Sequence, residues 1–119
     1  MDGGPAVIAL LLLLLAQPAT VPGRPYHVVP LEKMATTSRT HVETCGPIVY
    51  RRKMKDGDWH LTLDNGTAKV VVEVIPAIPL VIPRKGARVR VQGISRYDKD
   101  HGWPEVHPAE AIWEVQDCR

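Results

Sequence analysis

Asp64-Asn65-Gly66-Thr67 stands between two segments of alternating apolar character, and no other stretch restricts the fold as tightly. Before it, Asp58 to Leu63 sets Trp59, Leu61 and Leu63 on one face and Asp58, His60 and Thr62 on the other. Alternation of this period is the pattern of a half-buried strand. After it, Ala68 to Ile75 (AKVVVEVI) returns as a run rich in β-branched residues, which favour strands. Asn-Gly accepts the positive φ angles that a tight hairpin turn demands. The segment 58–75 is therefore predicted to be a β-hairpin. Asn65-Gly66-Thr67 also matches a glycosylation acceptor, but the turn accounts for it fully.

The same reading extends to both sides. From Thr40, Val42, Thr44, Ile48 and Tyr50 alternate with polar positions, and Gly46-Pro47 predicts a bulge or bend in that strand. Arg51 to Gly57 reads as a charged turn pivoting on Asp56-Gly57. Pro76 to Ala87 holds three prolines, which exclude an ordinary helix, so it is expected to be an apolar crossover lying against the domain. Arg88 to Ser95 alternates again, Arg96 to Pro108 reads as a long polar loop, and Ala109 to Val115 is the last strand. Eleven prolines and nine glycines in 119 residues likewise favour short strands joined by turns.

Five short strands with a kinked first strand and a long third-to-fourth link match the five-stranded oligonucleotide/oligosaccharide-binding barrel, the OB-fold. The segments DGDWHLTL (Asp56 to Leu63), G-x-x-V-x-V-x-G (Gly86 to Gly93) and HGWPEVHP (His101 to Pro108) resemble small exported bacterial OB-fold domains of unassigned function. The resemblance covers about residues 40–115 and implies an all-β barrel. It carries no catalytic residue across. OB-folds usually place a helix between the third and fourth strands, and this chain has its proline-rich crossover there.

Ahead of the barrel, Ala6 to Ala16 is an unbroken apolar run of eleven residues. A membrane-spanning helix needs about 20, so the run fits the apolar part of a signal peptide over residues 1–23. No Lys or Arg precedes it, which leaves an uncleaved anchor as the alternative. Residues 24–39 follow no clear period and read as an extended arm or tether, with residues 40–119 forming the domain. Cys45 and Cys118 are the only cysteines. In an exported chain, periplasmic or secreted, an even pair is expected to form a disulfide. No stable membrane span is expected once the leader is removed.

Beyond residue 23 the chain carries 15 Lys and Arg against 12 Asp and Glu, too small an excess for composition alone to mark a nucleic-acid binder. Binding of single-stranded nucleic acid or another oligomeric anion remains the leading functional expectation. Arg51, Arg52, Lys53, Arg88 and Arg90 are the candidate cations, and Tyr97 and Trp103 the candidate stacking rings. A second reading groups Asp58, His60, His101, Glu105 and His107, with His60, Glu105 and His107 as ligands for a divalent ion such as zinc in a metal-binding protein or metal-dependent hydrolase. A third is a structural domain that meets an envelope protein through its strand edges. No nucleophile motif or phosphate-binding glycine loop is present, so binding is favoured over catalysis and no cofactor is expected under the first reading.

Overall fold

The computed structural model describes residues 25–119, so the expected signal peptide lies outside the described residues. These form β1 (His27–Val28), a short 3-10 helix (Leu31–Thr36), β2 (His41–Lys53), β3 (Trp59–Asp64), β4 (Lys69–Val74), β5 (Arg88–Asp98) and β6 (Trp103–Glu114). The sheet runs β1-β2-β3-β4-β6-β5, and a β2–β5 pairing closes the last five strands into a barrel. The expected all-β, five-stranded barrel is present. Among the described residues no helix is long and apolar enough to cross a membrane.

β2 closes the barrel because it serves two neighbours. His41 to Pro47 pairs antiparallel with Ile94 to Arg88 of β5, and Ile48 to Lys53 pairs with β3. The irregularity lies between Ile48 and Tyr50, where β2 changes partner, rather than at Gly46-Pro47. Gly46 has another role. A β-carbon there would meet Leu31 Cδ1, so the glycine lets the 3-10 helix lie directly on the strand. The strand also continues through Arg51, Arg52 and Lys53, leaving only residues 54–58 for the turn.

The hairpin forms as expected, with Asp64 opposite Lys69, but its loop is longer than a two-residue turn. Of the loop residues only Gly66 has positive φ. Asn65 acts through its side chain instead, its Oδ1 accepting the Thr67 and Ala68 amides at 2.9 Å each. Asp64 Oδ1 accepts the Gly66 amide at 2.8 Å. Such side-chain acceptors close polar turns without requiring unusual backbone angles.

Within the expected arm or tether, the described residues 25–39 pack on the barrel. Leu31 and Met34 of the 3-10 helix are buried, Met34 completely. Val29 N donates to Glu43 O, and Asn65 Nδ2 donates to Glu32 Oε1 at 2.6 Å, which ties the helix to the hairpin tip. The two apolar side chains lie three apart, spacing that faces a single turn of 3-10 helix inward. The segment thus supplies core that the proline-rich crossover does not. That crossover packs Leu80 and Ile82 against the core, beside Trp59.

The interior is filled mainly by β-branched and leucine side chains, since the chain has no Phe. Val42, Leu61, Leu63, Val70, Val72, Val89, Val91 and Val106 are fully buried. β5 and β6 extend well into the stretch expected to be loop, pairing Arg96 with Glu105 and Asp98 with Trp103. Only residues 99–102 connect them. Polar outward side chains hid this pairing from the apolar period. Around Gly93 the two strands approach so closely that a β-carbon would strike the Pro108 carbonyl oxygen and Val106 Cγ1. The Cys45–Cys118 disulfide forms, with 5.7 Å between α-carbons, and fastens the C-terminal tail to β2.

Candidate functional site

β4 sits between β3 and β6, and its register decides which polar residues meet. His60 on β3 lies opposite Glu73, while Val71 and Val72 pair in parallel with Glu105 and Val106 of β6. Val70, Val72 and Val74 point into the core, so Glu73 faces outward between the histidine of one neighbour and that of the other. His60 Nε2 lies 3.1 Å from Glu73 Oε1, and His107 Nδ1 lies 3.6 Å from Glu73 Oε2. Two of the three expected metal ligands thus converge, but on a residue that was not singled out. The signal was available, because Glu73 is the one acid inside an otherwise apolar β-branched run.

Glu105 joins the cluster from below the surface. Its side chain is 3% exposed, Oε2 accepts the Trp103 indole N–H at 2.9 Å, and Oε1 lies 3.9 Å from His107 Nδ1. Burial and, to a lesser degree, the neighbouring Glu73 together raise its carboxyl to about 7, against the lowering effect of the indole hydrogen bond and of Arg96. Arg96 reaches over both, its Nη1 2.9 Å from His107 Nδ1 and its Nε 3.7 Å from Glu105 Oε1. Asp58, Glu73 and His107 each offer an oxygen or nitrogen within 4.8 Å of the others. His101 stays apart at the tip of the β5–β6 connection. There it pairs with Asp98 at 2.7 Å and stacks on Trp103 with ring centres 4.6 Å apart. That hydrogen bond, followed by the Asp98 charge, raises the His101 imidazole, and the same bond lowers Asp98.

Beside this cluster a shallow groove of about 460 Å³ crosses the outer face of the barrel. Tyr50, Met54, His60, Thr62, Lys69, Val71 and Trp103 line it. Tyr50 is among the exposed large apolar side chains. Tyr50, Met54 and Lys69 were not expected in the site. The alternation of the strand places Tyr50 with Val42, Thr44 and Ile48, and its exposure follows from the irregularity between Ile48 and Tyr50, which turns it outward.

The seven expected ligand-binding residues are dispersed. Arg52 and Lys53 are exposed at the end of β2. Arg51 is committed to the crossover, donating to the Ile82 and Pro83 carbonyls at 3.2 and 2.9 Å, with its guanidinium 4.6 Å from the Trp59 ring centre. Arg88 and Arg90 lie opposite Pro47 and Cys45, at the far end of β5 from Tyr97 and Trp103. Arg88 donates to the Gln116 carbonyl, and Arg90 binds both Glu43 and the Cys118 carbonyl. The two arginines line a larger cleft of about 780 Å³ between the N-terminal segment, β2 and the disulfide-tied tail.

No protein-family model and no curated protein sequence matches the chain. Among solved structures, the telomere capping protein Ten1 from Saccharomyces pombe is 17% identical over 77% of this chain and 83% of its own, with a TM-score of 0.58. A putative aspartyl-tRNA synthetase from Leishmania major is 14% identical over 98% of this chain and 27% of its own, at 0.64. The hypothetical protein YgiW from E. coli is 18% identical over 82% of this chain and 100% of its own, at 0.58. At these identities the likeness is one of fold, and the closed five-stranded barrel that this chain shares with Ten1 and YgiW is an OB-fold.

Proposed function

We propose that this chain is an exported OB-fold binding module that takes a short single-stranded nucleic acid across the groove between β2, β3 and β4. The observation that carries this reading is the groove itself, which sets Tyr50 and Trp103 on one apolar-lined face with Lys69 beside them. Bases stack on exposed aromatic rings while cations follow the phosphates, so the two rings and Lys69 suit a flexible polyanion, with the Asp64 carboxylate at the groove's edge opposite Lys69. In OB-folds this face, formed by the second and third barrel strands and flanked by the connecting loops, is the usual ligand surface. A structure of similar fold is that of a telomere capping protein, and a nucleic-acid ligand is compatible with that likeness. Export is favoured by the apolar leader together with the formed disulfide, a bond that persists in oxidising compartments.

The test is binding of a fluorescent single-stranded oligonucleotide to the disulfide-bonded protein at low and then physiological salt. Binding that weakens steeply with salt is expected. Tyr50→Ala should weaken it about tenfold, in line with the worth of one stacked base, and Lys69→Ala should reduce the salt slope. Absence of binding at low salt overturns the reading. The similar Stn1–Ten1 structure is a complex of two proteins, so the alternative that negative result favours is a protein partner on the same face.

A further inference from the structure

Apart from any nucleic acid, the cluster on Glu73 has the composition and spacing of a metal centre. We propose that Asp58, Glu73 and His107 bind a divalent ion of the zinc type on the outer face of β4, with His60 steadying the Glu73 carboxylate. Ligand atoms bound to zinc at about 2.0–2.1 Å lie roughly 3.3 Å apart in a tetrahedral site. His107 Nδ1 is 3.6 Å from Glu73 Oε2, and one donor atom from each of the three residues falls within 4.8 Å of the others. Small side-chain adjustments bring such a set onto one ion, because Asp58 stands in a turn and His107 is only partly buried.

Three further observations point the same way. First, Arg96 Nη1, which can only donate, lies 2.9 Å from His107 Nδ1, so that nitrogen is unprotonated, its lone pair is engaged by a guanidinium that an ion would displace, and the ring carries its proton on Nε2. This is the tautomer a metal at Nδ1 requires. Second, Glu105 Oε1 is buried, receives no hydrogen bond and lies 3.9 Å from the same nitrogen. An ion placed among Asp58, Glu73 and His107 would compensate this crowding of acids, a task that now falls to the half-exposed Arg96 guanidinium. Third, His60 Nε2 sits 3.1 Å from the Glu73 oxygen that His107 does not face. A ligating carboxylate is commonly held in this way by a neighbouring hydrogen bond. Imidazole among the ligands favours zinc, copper or nickel over magnesium or calcium. His60, which steadies Glu73, also lines the groove.

The experiment titrates zinc chloride into the full disulfide-bonded protein, previously treated with chelator and with no oligonucleotide present. Calorimetry follows the binding, and nitrogen-15 NMR follows the histidine rings. The expected result is one ion per chain, with the His107 Nδ1 signal displaced and the His101 signals unmoved. Glu73→Gln should weaken binding by more than about tenfold, because it removes a ligand and even the loss of an outer partner costs about 10–100-fold. Arg96→Ala should tighten it, because the ion no longer competes with the guanidinium for His107. His101→Ala should leave it unchanged. Absence of saturable binding, or binding with an unmoved His107 signal, overturns the proposal. The wild-type NMR readout decides the matter even if Glu73→Gln fails to fold. Because the probe is the metal alone, its failure says nothing against the groove, and failure of oligonucleotide binding says nothing against the metal.

Discussion

Arg90 Nη1 lies 3.2 Å from Glu43 Oε2 across the β2–β5 pair, with both side chains mostly buried. Gln92 Nε2 donates to the other Glu43 oxygen at 2.9 Å, and Arg90 Nη2 holds the Cys118 carbonyl at 3.0 Å. A residue whose cation is spent on the protein's own carboxylate and tail is poorly placed to follow a phosphate chain.

Arg90→Ala is accordingly expected to destabilise the fold by about 2 kcal/mol, the scale of a lost charged hydrogen bond that leaves its acid partly satisfied. Urea denaturation measures this directly. Oligonucleotide affinity of the folded variant should stay within about twofold of wild type, since groove contacts rather than Arg90 are expected to set it. A large affinity loss without loss of stability would return Arg90 to the binding surface.

The buried Glu105 makes stability depend on pH in an unusual direction. Its folded pKa, near 7, stands above the 4.5 of a free glutamate. The folded state therefore holds this proton more tightly than the unfolded chain does. The resulting stabilisation is fully present below about pH 4.5 and is lost as pH rises through about 7. In chelator-containing buffer, Glu105→Gln should flatten the fall in stability over that window and leave the variant more stable than wild type at pH 8. Denaturation midpoints at several pH values test the sign.

Reduction of Cys45–Cys118, or its replacement by Ser at both positions, opens a loop with a sequence separation of 73. The chain-entropy relation assigns such a loop about 4 kcal/mol. For a domain of this size that is a large share of the total. The oxidised and reduced proteins should differ by a comparable amount in unfolding free energy, with the reduced tail becoming sensitive to protease before the barrel does.

Met34 is completely buried although it lies in a segment that looks like a linker. Met34→Ala should cost about 2–5 kcal/mol, as for other buried large-to-small changes. A chain beginning at residue 40 should lose more, since Leu31 leaves with it and uncovers the α-carbon of Gly46. If such a truncation folds with unchanged stability, the 3-10 helix is not part of the core.

The sequence by itself determined the hairpin, the strand class of the other segments, the cysteine pairing and hence the all-β barrel. Each of these rests on short-range chemistry: alternation of apolar residues, the turn-forming Asp64-Asn65-Gly66-Thr67, and an even pair of thiols. His60 and His107 were also legible as candidates, His60 from a polar position of its strand and His107 from the polar stretch before the last strand. What brings them together was not. His60 and His107 are 47 positions apart, and only the placement of β4 between β3 and β6 puts Glu73 within reach of both. The partners of the arginines were not legible for the same reason. Arg51 and Arg90 read as solvent-facing cations, and only the folded chain supplies the crossover carbonyls, Glu43 and the tail that engage them. Local pattern states which way a side chain points relative to its own strand. The neighbour it then meets is set by strand order and register, and those are decided by the burial of the whole core at once.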